Sequence, residues 1–452
     1  MKWNKLSIFV LFLILSIAII GCSGSGSAGN QNSGTSSGSN TTPQPAASQP
    51  TTSQPATPQN EAPPEEVELV MYSWRAEDRG MYEKAIAKFN ETYPHIQIDF
   101  QPYQSTEYNT ILTNALMSGS APDILQLRPY ASGRSIADNG YLLPLDNLLG
   151  LEHINEQYFE AAKGSDGKIY GVPLTLNSGT IFYNKDLFEA HSLNVPETWE
   201  EFVQVSQTLK DNGIIPIAQG GRAAYLLSLT HGAIAPTAYN GNEFVDKVLS
   251  GQANLTDPAF VESVKRMETL GQFFPQDFVA LDDASAQTLF YTGEAAMYIN
   301  GDYRLATLES TAPDMNIGVI PGFAAAKGQD PIVTTWVDGS YAVSKDTKHP
   351  EEALLFMEFM TTEAFGQIFT DELNRLSAVK GVQPKHPIVN QITAAIAKST
   401  TPYLLLVHFG EGEPTTKTVF ENALQGMYLG EITVDQVIQQ AQEAADRAAG
   451  SE

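Results

Sequence analysis

One cysteine in 452 residues, Cys22, excludes an intramolecular disulfide, so the core of this chain must hold by packing alone. Positive charge is scarce too: 26 Lys and Arg stand against 52 Asp and Glu, a formal net charge of −26. A surface that negative repels nucleic acid and other polyanions and favours solubility, while saying little about a neutral ligand. The 7 histidines are scattered, with no His-Glu-x-x-His or other metal spacing, so neither a metal nor a cofactor is expected. No Gly-x-x-x-x-Gly-Lys-Ser/Thr run occurs, so the chain is not itself expected to be an ATPase. Acid pairs such as Asp282-Asp283 and Glu351-Glu352 are adjacent, so their side chains diverge and read as exposed charge rather than a glycosidase-like acid/base pair. The one long apolar run, Leu6 to Ile20, is shorter than the roughly 20 residues a membrane-spanning helix needs.

What is there begins with that run. Lys2 and Lys5 precede it and the small Gly21 follows, which is the anatomy of a secretory signal peptide over residues 1–21. A lone thiol after such a segment is a reactive group, an intermolecular bridge or an attachment point, and the preceding residues favour attachment. Ile19-Ile20-Gly21-Cys22 resembles the bacterial lipobox, in which cleavage leaves cysteine first and its thiol carries diacylglycerol; Ile19 and Ile20 stand where Leu and Ala or Ser are more usual. Residues 22–66 then read as the lipidated cysteine and a Ser/Gly/Thr/Pro tether without apolar period, reaching roughly 35–40 Å as a coil. Inside it, Gly24-x-Gly26-x-x-Gly29 and Gly34-x-Ser36-x-Gly38 match nucleotide and nucleophile motifs, but no strand precedes and no helix follows either.

Beyond Glu66 the chain is too long for one ordinary core and suits two lobes. Val67 to Tyr72 reads as a buried strand; Met81, Ala85, Ile86 and Phe89 recur at helical spacing; Ile96, Ile98 and Phe100 alternate as a strand. Further helices start at Thr198-Trp199-Glu200-Glu201, a capping-box pattern, and at Asp257-Pro258. The repeated alternation predicts an α/β fold of open, parallel-type sheets covered by helices, with ligands outside the strand ends.

Several segments, taken in order, carry a resemblance: Ser73-Trp74-Arg75, Ala121-Pro122-Asp123-Ile124, Tyr170-Gly171-Val172-Pro173, Tyr183-Asn184-Lys185-Asp186-Leu187, Gly293 to Tyr303, and Gly339-Ser340-Tyr341-Ala342-Val343-Ser344. The chain resembles the family 1 extracellular solute-binding proteins of ABC importers, the class that includes maltose-binding protein. That resemblance implies a two-lobed, type II periplasmic-binding-protein fold with hinged lobes around a central cleft. Lobe one is expected over 67–177 and 339–378 and lobe two over 178–338 and 379–452, with crossings near Leu176–Gly179, Asp338–Ala342 and Ser377–Gly381. It further implies no enzyme but a monomeric receptor that passes carbohydrate to ABC permease subunits with a separate ATPase; the lipobox and the extended tether after it lead to the expectation of lipid anchoring on the outer face of a Gram-positive cell. A non-sugar solute, or surface polysaccharide held without transport, is the alternative.

A sugar site wants flat aromatic platforms for C–H faces and polar groups for hydroxyl rims. Trp74 follows the first strand beside Arg75 and Glu77, where it is either a core residue or a cleft contact. Tyr303 stands where relatives often carry a stacking tryptophan, and Trp336 lies at a predicted crossing with Asp338. Trp199, inside an amphipathic helix, reads as structural. The polar candidates are Asp123 and Arg128 at a strand end, Asn177 on the first crossing, Arg222 and Tyr225 after Gly220-Gly221, Asp302, and Arg375 from lobe one; Glu411 and Glu413 read as loop charge.

Overall fold

The computed structural model describes residues 65–450; the signal peptide, Cys22 and all but the end of the tether lie outside the described residues. Strand β1 (Val67–Ser73) runs parallel to β2 (Ile96–Pro102), with Val67 opposite Ile96, and the helix Arg79–Asn90 forms the crossover. Its Met81, Tyr82, Ala85 and Phe89 are buried, as the 3.6-residue period requires. Strand β3 (Ile124–Leu127) lies parallel on the other side of β1. Every residue of β4 (Val172–Asn184) is buried. Then follow β5 (Ile215–Ala218), β6 (Ala295–Gly301), β7 (Ile317–Ile320), β8 (Val333–Val343), β9 (Leu376–Ser377) and β10 (Thr400–Pro402). The order across the sheet is β2-β1-β3-β8-β4-β6-β5, with β7 and β9 added to β4 and β10 to β8.

The sheet is mixed, which corrects the expected parallel type. Strand β8 is antiparallel to β3 and β4, and β4 is antiparallel to β6, β7 and β9. A strand buried on both faces reads as a continuous apolar run in either direction, so its sequence does not encode the sense of its neighbours. The long pair β4 and β8 ties the two halves together: β4 lies against β8 from Val172 to Ser178 and against β6 and β7 from Gly179 to Asn184.

Helix starts follow local chemistry. Asp257 accepts from Ala259 N at 2.9 Å with Pro258 in the first turn. At the other predicted start, Thr198 Oγ1 accepts from Glu201 N at 3.3 Å, but the Glu201 carboxylate reaches Glu197 N rather than Thr198 N, so the box closes one residue early. Trp199 is half-buried on Phe202 and Phe323, with the Arg266 guanidinium 5.0 Å above its ring. After β9 the chain stays against the helix Glu363–Leu373 as far as Lys385, which pairs with Asp371 at 2.8 Å; His386 then meets Glu309 of the helix Leu305–Thr311 at 2.9 Å.

Candidate binding cleft

A cavity of about 420 Å³ opens where β4 and β8 run side by side. Asn177 and Trp336 are direct partners across the two strands, and both face it. Beyond them the register steps from Leu176–Val337 to Thr175–Gly339, leaving Asp338 without a partner on β4. Such a bulge re-aims a side chain, and here Asp338 and Thr175 both line the cavity.

Four aromatic residues wall the space: Tyr225 and Tyr303, Trp336 and Tyr403. Two glycines set the position of two of them. A Cβ on Gly301 would lie 2.0 Å from the Tyr303 ring, and one on Gly232 would lie 2.9 Å from the Tyr403 ring, so both rings occupy space that only glycine leaves open. Tyr303 donates to Asn300 Oδ1 at 3.0 Å. Tyr403 packs edge-on to Trp336 with centroids 5.7 Å apart and donates to Ser228 Oγ at 2.7 Å, which donates to Glu421 Oε1 at 2.6 Å. Lys417 closes this chain by pairing with Glu421. Leu229 and Leu406 add apolar wall.

A second charged group lines the cavity. Arg75, just past β1, pairs with Asp338 and lies 3.6 Å from Glu77; Arg375 lies 3.9 Å from Glu77 and 3.6 Å from the buried Asp78. Burial raises the pKa of Asp78, opposed by Arg375 and Arg75. Arg75 Nε, Asp78 Oδ1 and Arg375 Nη1 are buried without a hydrogen-bond partner among the described residues, unspent polar capacity beside the cavity. Asp302 is enclosed beneath: its Oδ1 accepts from Ser178 N at 2.6 Å, and burial pushes its carboxyl up to about 7 against the pull of that bond and of Arg375.

Of the residues singled out from sequence, Arg75, Asn177, Tyr225, Tyr303, Trp336, Asp338 and Arg375 line the cavity. Trp74 and Arg128 line an adjoining one, and Trp74 is not an open platform: it is 5% exposed, and the Arg128 guanidinium lies 4.1 Å over its ring. Asp123 does not reach either space, because its carboxylate accepts from Val70 N at 2.8 Å and Thr347 Oγ1 at 2.6 Å and so joins β1 to the loop after β8. Arg222 lines neither; its side chain is 72% exposed and points at Asp282, 3.9 Å away. Glu411 pairs with Arg134. Thr175, Leu229, Tyr403, Leu406 and Lys417 were not expected. Tyr403 and Lys417 come from the C-terminal segment and no local signal marks either; the space that Tyr403 fills is left by Gly232, far along the chain.

The family model described as bacterial extracellular solute-binding protein matches residues 72–367, from the end of β1 into the helix before β9. This chain belongs to that family. Among curated relatives of this solute-binding protein, the multiple sugar-binding protein of Streptococcus mutans is 26% identical over 326 residues, 71% of this chain and 77% of the relative. The maltodextrin-binding protein MdxE of Bacillus subtilis is 25% identical over 62% of this chain and 66% of its own length. Among solved structures, apo RafE from Streptococcus pneumoniae superposes with a TM-score of 0.71 at 21% identity, covering 85% of this chain and 98% of RafE. A family 1 extracellular solute-binding protein from Bifidobacterium longum subsp. infantis gives 0.70 at 19% identity, covering 85% of this chain and all of the other. The fold is therefore the two-lobed, type II solute-binding fold. Members of this family are receptors rather than enzymes, and among the described residues no helix is long and apolar enough to cross a membrane.

Proposed function

We propose that this solute-binding protein captures a carbohydrate, an oligosaccharide, outside the cell and delivers it to the permease of an ABC importer. The observation that carries the reading is the cavity's composition: the rings of Tyr225, Tyr303, Trp336 and Tyr403 together with the polar and charged groups of Asn177, Asp338, Arg75, Arg375 and Lys417. Flat apolar faces suit sugar C–H surfaces, and paired donors and acceptors suit the hydroxyl rim. Named relatives that bind multiple sugars, maltodextrin, or melibiose, raffinose and stachyose support the class. The receptor acts as a monomer with no nucleic-acid partner. Lobe one comprises 67–177 and 339–385 and lobe two 178–338 and 386–452, the third boundary moved from 378 because the chain keeps to the helix Glu363–Leu373 as far as Lys385, and closure bends β4, β8 and the segment at His386. A ligand touching both walls favours the closed state by its differential contact. Cys22 carries the lipid that holds the receptor at the cell surface, on a Gram-positive cell in this reading, and the ATPase and permease are separate chains.

A thermal-shift panel of galactose, melibiose, raffinose, stachyose and the maltodextrins from maltose upward tests this. A sugar present at 100 times its Kd adds about 2.7 kcal/mol. For a folded region of this size that is on the order of 3 °C. No shift from any carbohydrate, with a clear shift from amino acids, peptides or polyamines, would overturn the sugar class.

A further inference from the structure

The cleft does not end at the charged wall. A second cavity of about 330 Å³ lies against it, and the two share Arg75 and Asp338. These side chains are paired with each other, so one ion pair stands between the chambers. The second chamber is polar: Tyr103, Gln104, Ser105 and Glu77 line it, and its floor is Arg128 stacked on Trp74. Arg128 is held flat there, with Nε 3.2 Å from Asn109 Oδ1 and Nη2 3.0 Å from both Ser105 O and Ser105 Oγ. A fixed guanidinium plane backed by an indole is a surface on which a sugar ring can stack and hydrogen-bond.

The partition can break without stranding a charge. Glu77 already lies 3.6 Å from Arg75 Nη1, so Arg75 keeps a carboxylate when Asp338 leaves. The Asp338 side chain is 39% exposed and sits at the β8 bulge, where it is free of a cross-strand neighbour. Arg75 Nε, buried and without a partner, has a bond still to make. The pair is part-buried, with the Arg75 side chain 13% and the Asp338 side chain 39% exposed, so sugar hydroxyls must take up the bonds it loses on opening.

We propose that Arg75 and Asp338 form a breakable partition through which this receptor reads carbohydrate chain length. Resting on the carbohydrate reading above, the proposal has short sugars fill the first chamber with the pair intact. Longer ones part it and seat a further sugar residue on Arg128 and Trp74.

Titration calorimetry with galactose, melibiose, raffinose and stachyose, and in parallel with glucose, maltose, maltotriose and maltotetraose, measures affinity against length in each series. The expected result is a step of at least tenfold at one added residue in the series that binds. Arg128→Ala should shrink that long-to-short affinity ratio by tenfold or more, and Asp338→Asn, which removes the charge barring the passage, should enlarge it. Because ratios are compared, general damage to the cleft cancels; Arg128→Gln replaces the alanine variant if that does not fold. Sugars that bind with no step, or both variants changing every sugar equally, overturn the partition while leaving the carbohydrate reading intact. Binding by no sugar in either series overturns the carbohydrate reading, and the partition with it.

Discussion

Replacing Asp302 with asparagine should stabilise the fold at pH 8 and hardly at all at pH 4. The carboxyl is enclosed, and burial pushes its pKa from the ordinary 3.8 up to about 7. Between those values the folded state holds a proton that the unfolded chain has lost, so stability is full below 3.8 and falls as pH rises towards 7. At about 1.4 kcal/mol per pH unit, this single group withdraws about 4 kcal/mol across the window. Asparagine keeps an oxygen for the 2.6 Å bond from Ser178 N and carries no charge to bury. The stability difference between variant and parent should therefore grow by about 4 kcal/mol from pH 4 to pH 8, which for a region of this size is about 5 °C in Tm. Denaturation melts of both proteins at half-unit pH steps read this directly, since groups unaffected by the change cancel in the difference. A flat difference would refute the reasoning, and would mean that Arg375 and the Ser178 amide hold Asp302 ionised despite its burial.

Other outcomes follow from the same geometry. Trp336 is 8% exposed and packed on Tyr403, so Trp336→Ala should cost about 3–5 kcal/mol of stability as well as binding. Tyr303→Ala, from a half-buried ring, should weaken sugar binding at least about tenfold, roughly 1.4 kcal/mol, with a smaller fall in Tm. Equal destabilisation by the two, with sugar affinity unchanged, would assign both rings to the core alone. Small-angle scattering should show a smaller radius of gyration at saturating sugar, and superimposable curves would argue against closure. Cys22→Ser should release soluble protein that binds sugar as the parent does; retention on the membrane would refute the lipid anchor.

The elements that could be read rest on local chemistry. The period of Met81, Ala85 and Phe89 marks a helix, and Asp257-Pro258 marks the start of another, whatever surrounds them. Arg75 and Tyr303, just past strand ends, could be nominated because chain order places those ends at one crevice, and Asn177 and Asp338 because they stand at predicted crossings between the lobes. Tertiary structure alone decided the rest. It placed Arg128 over Trp74, turning a nominated platform into the backing of a guanidinium, and gave both oxygens of Asp123 to β1 and Thr347. It brought Tyr403 from the C-terminal segment against Trp336 and Lys417 to the same cavity, and it set β8 antiparallel to β3 and β4. The physical reason is range: periodicity and caps act within a few residues, whereas a ring's neighbour, a carboxylate's partner and a buried strand's direction depend on what packs against them from far along the chain.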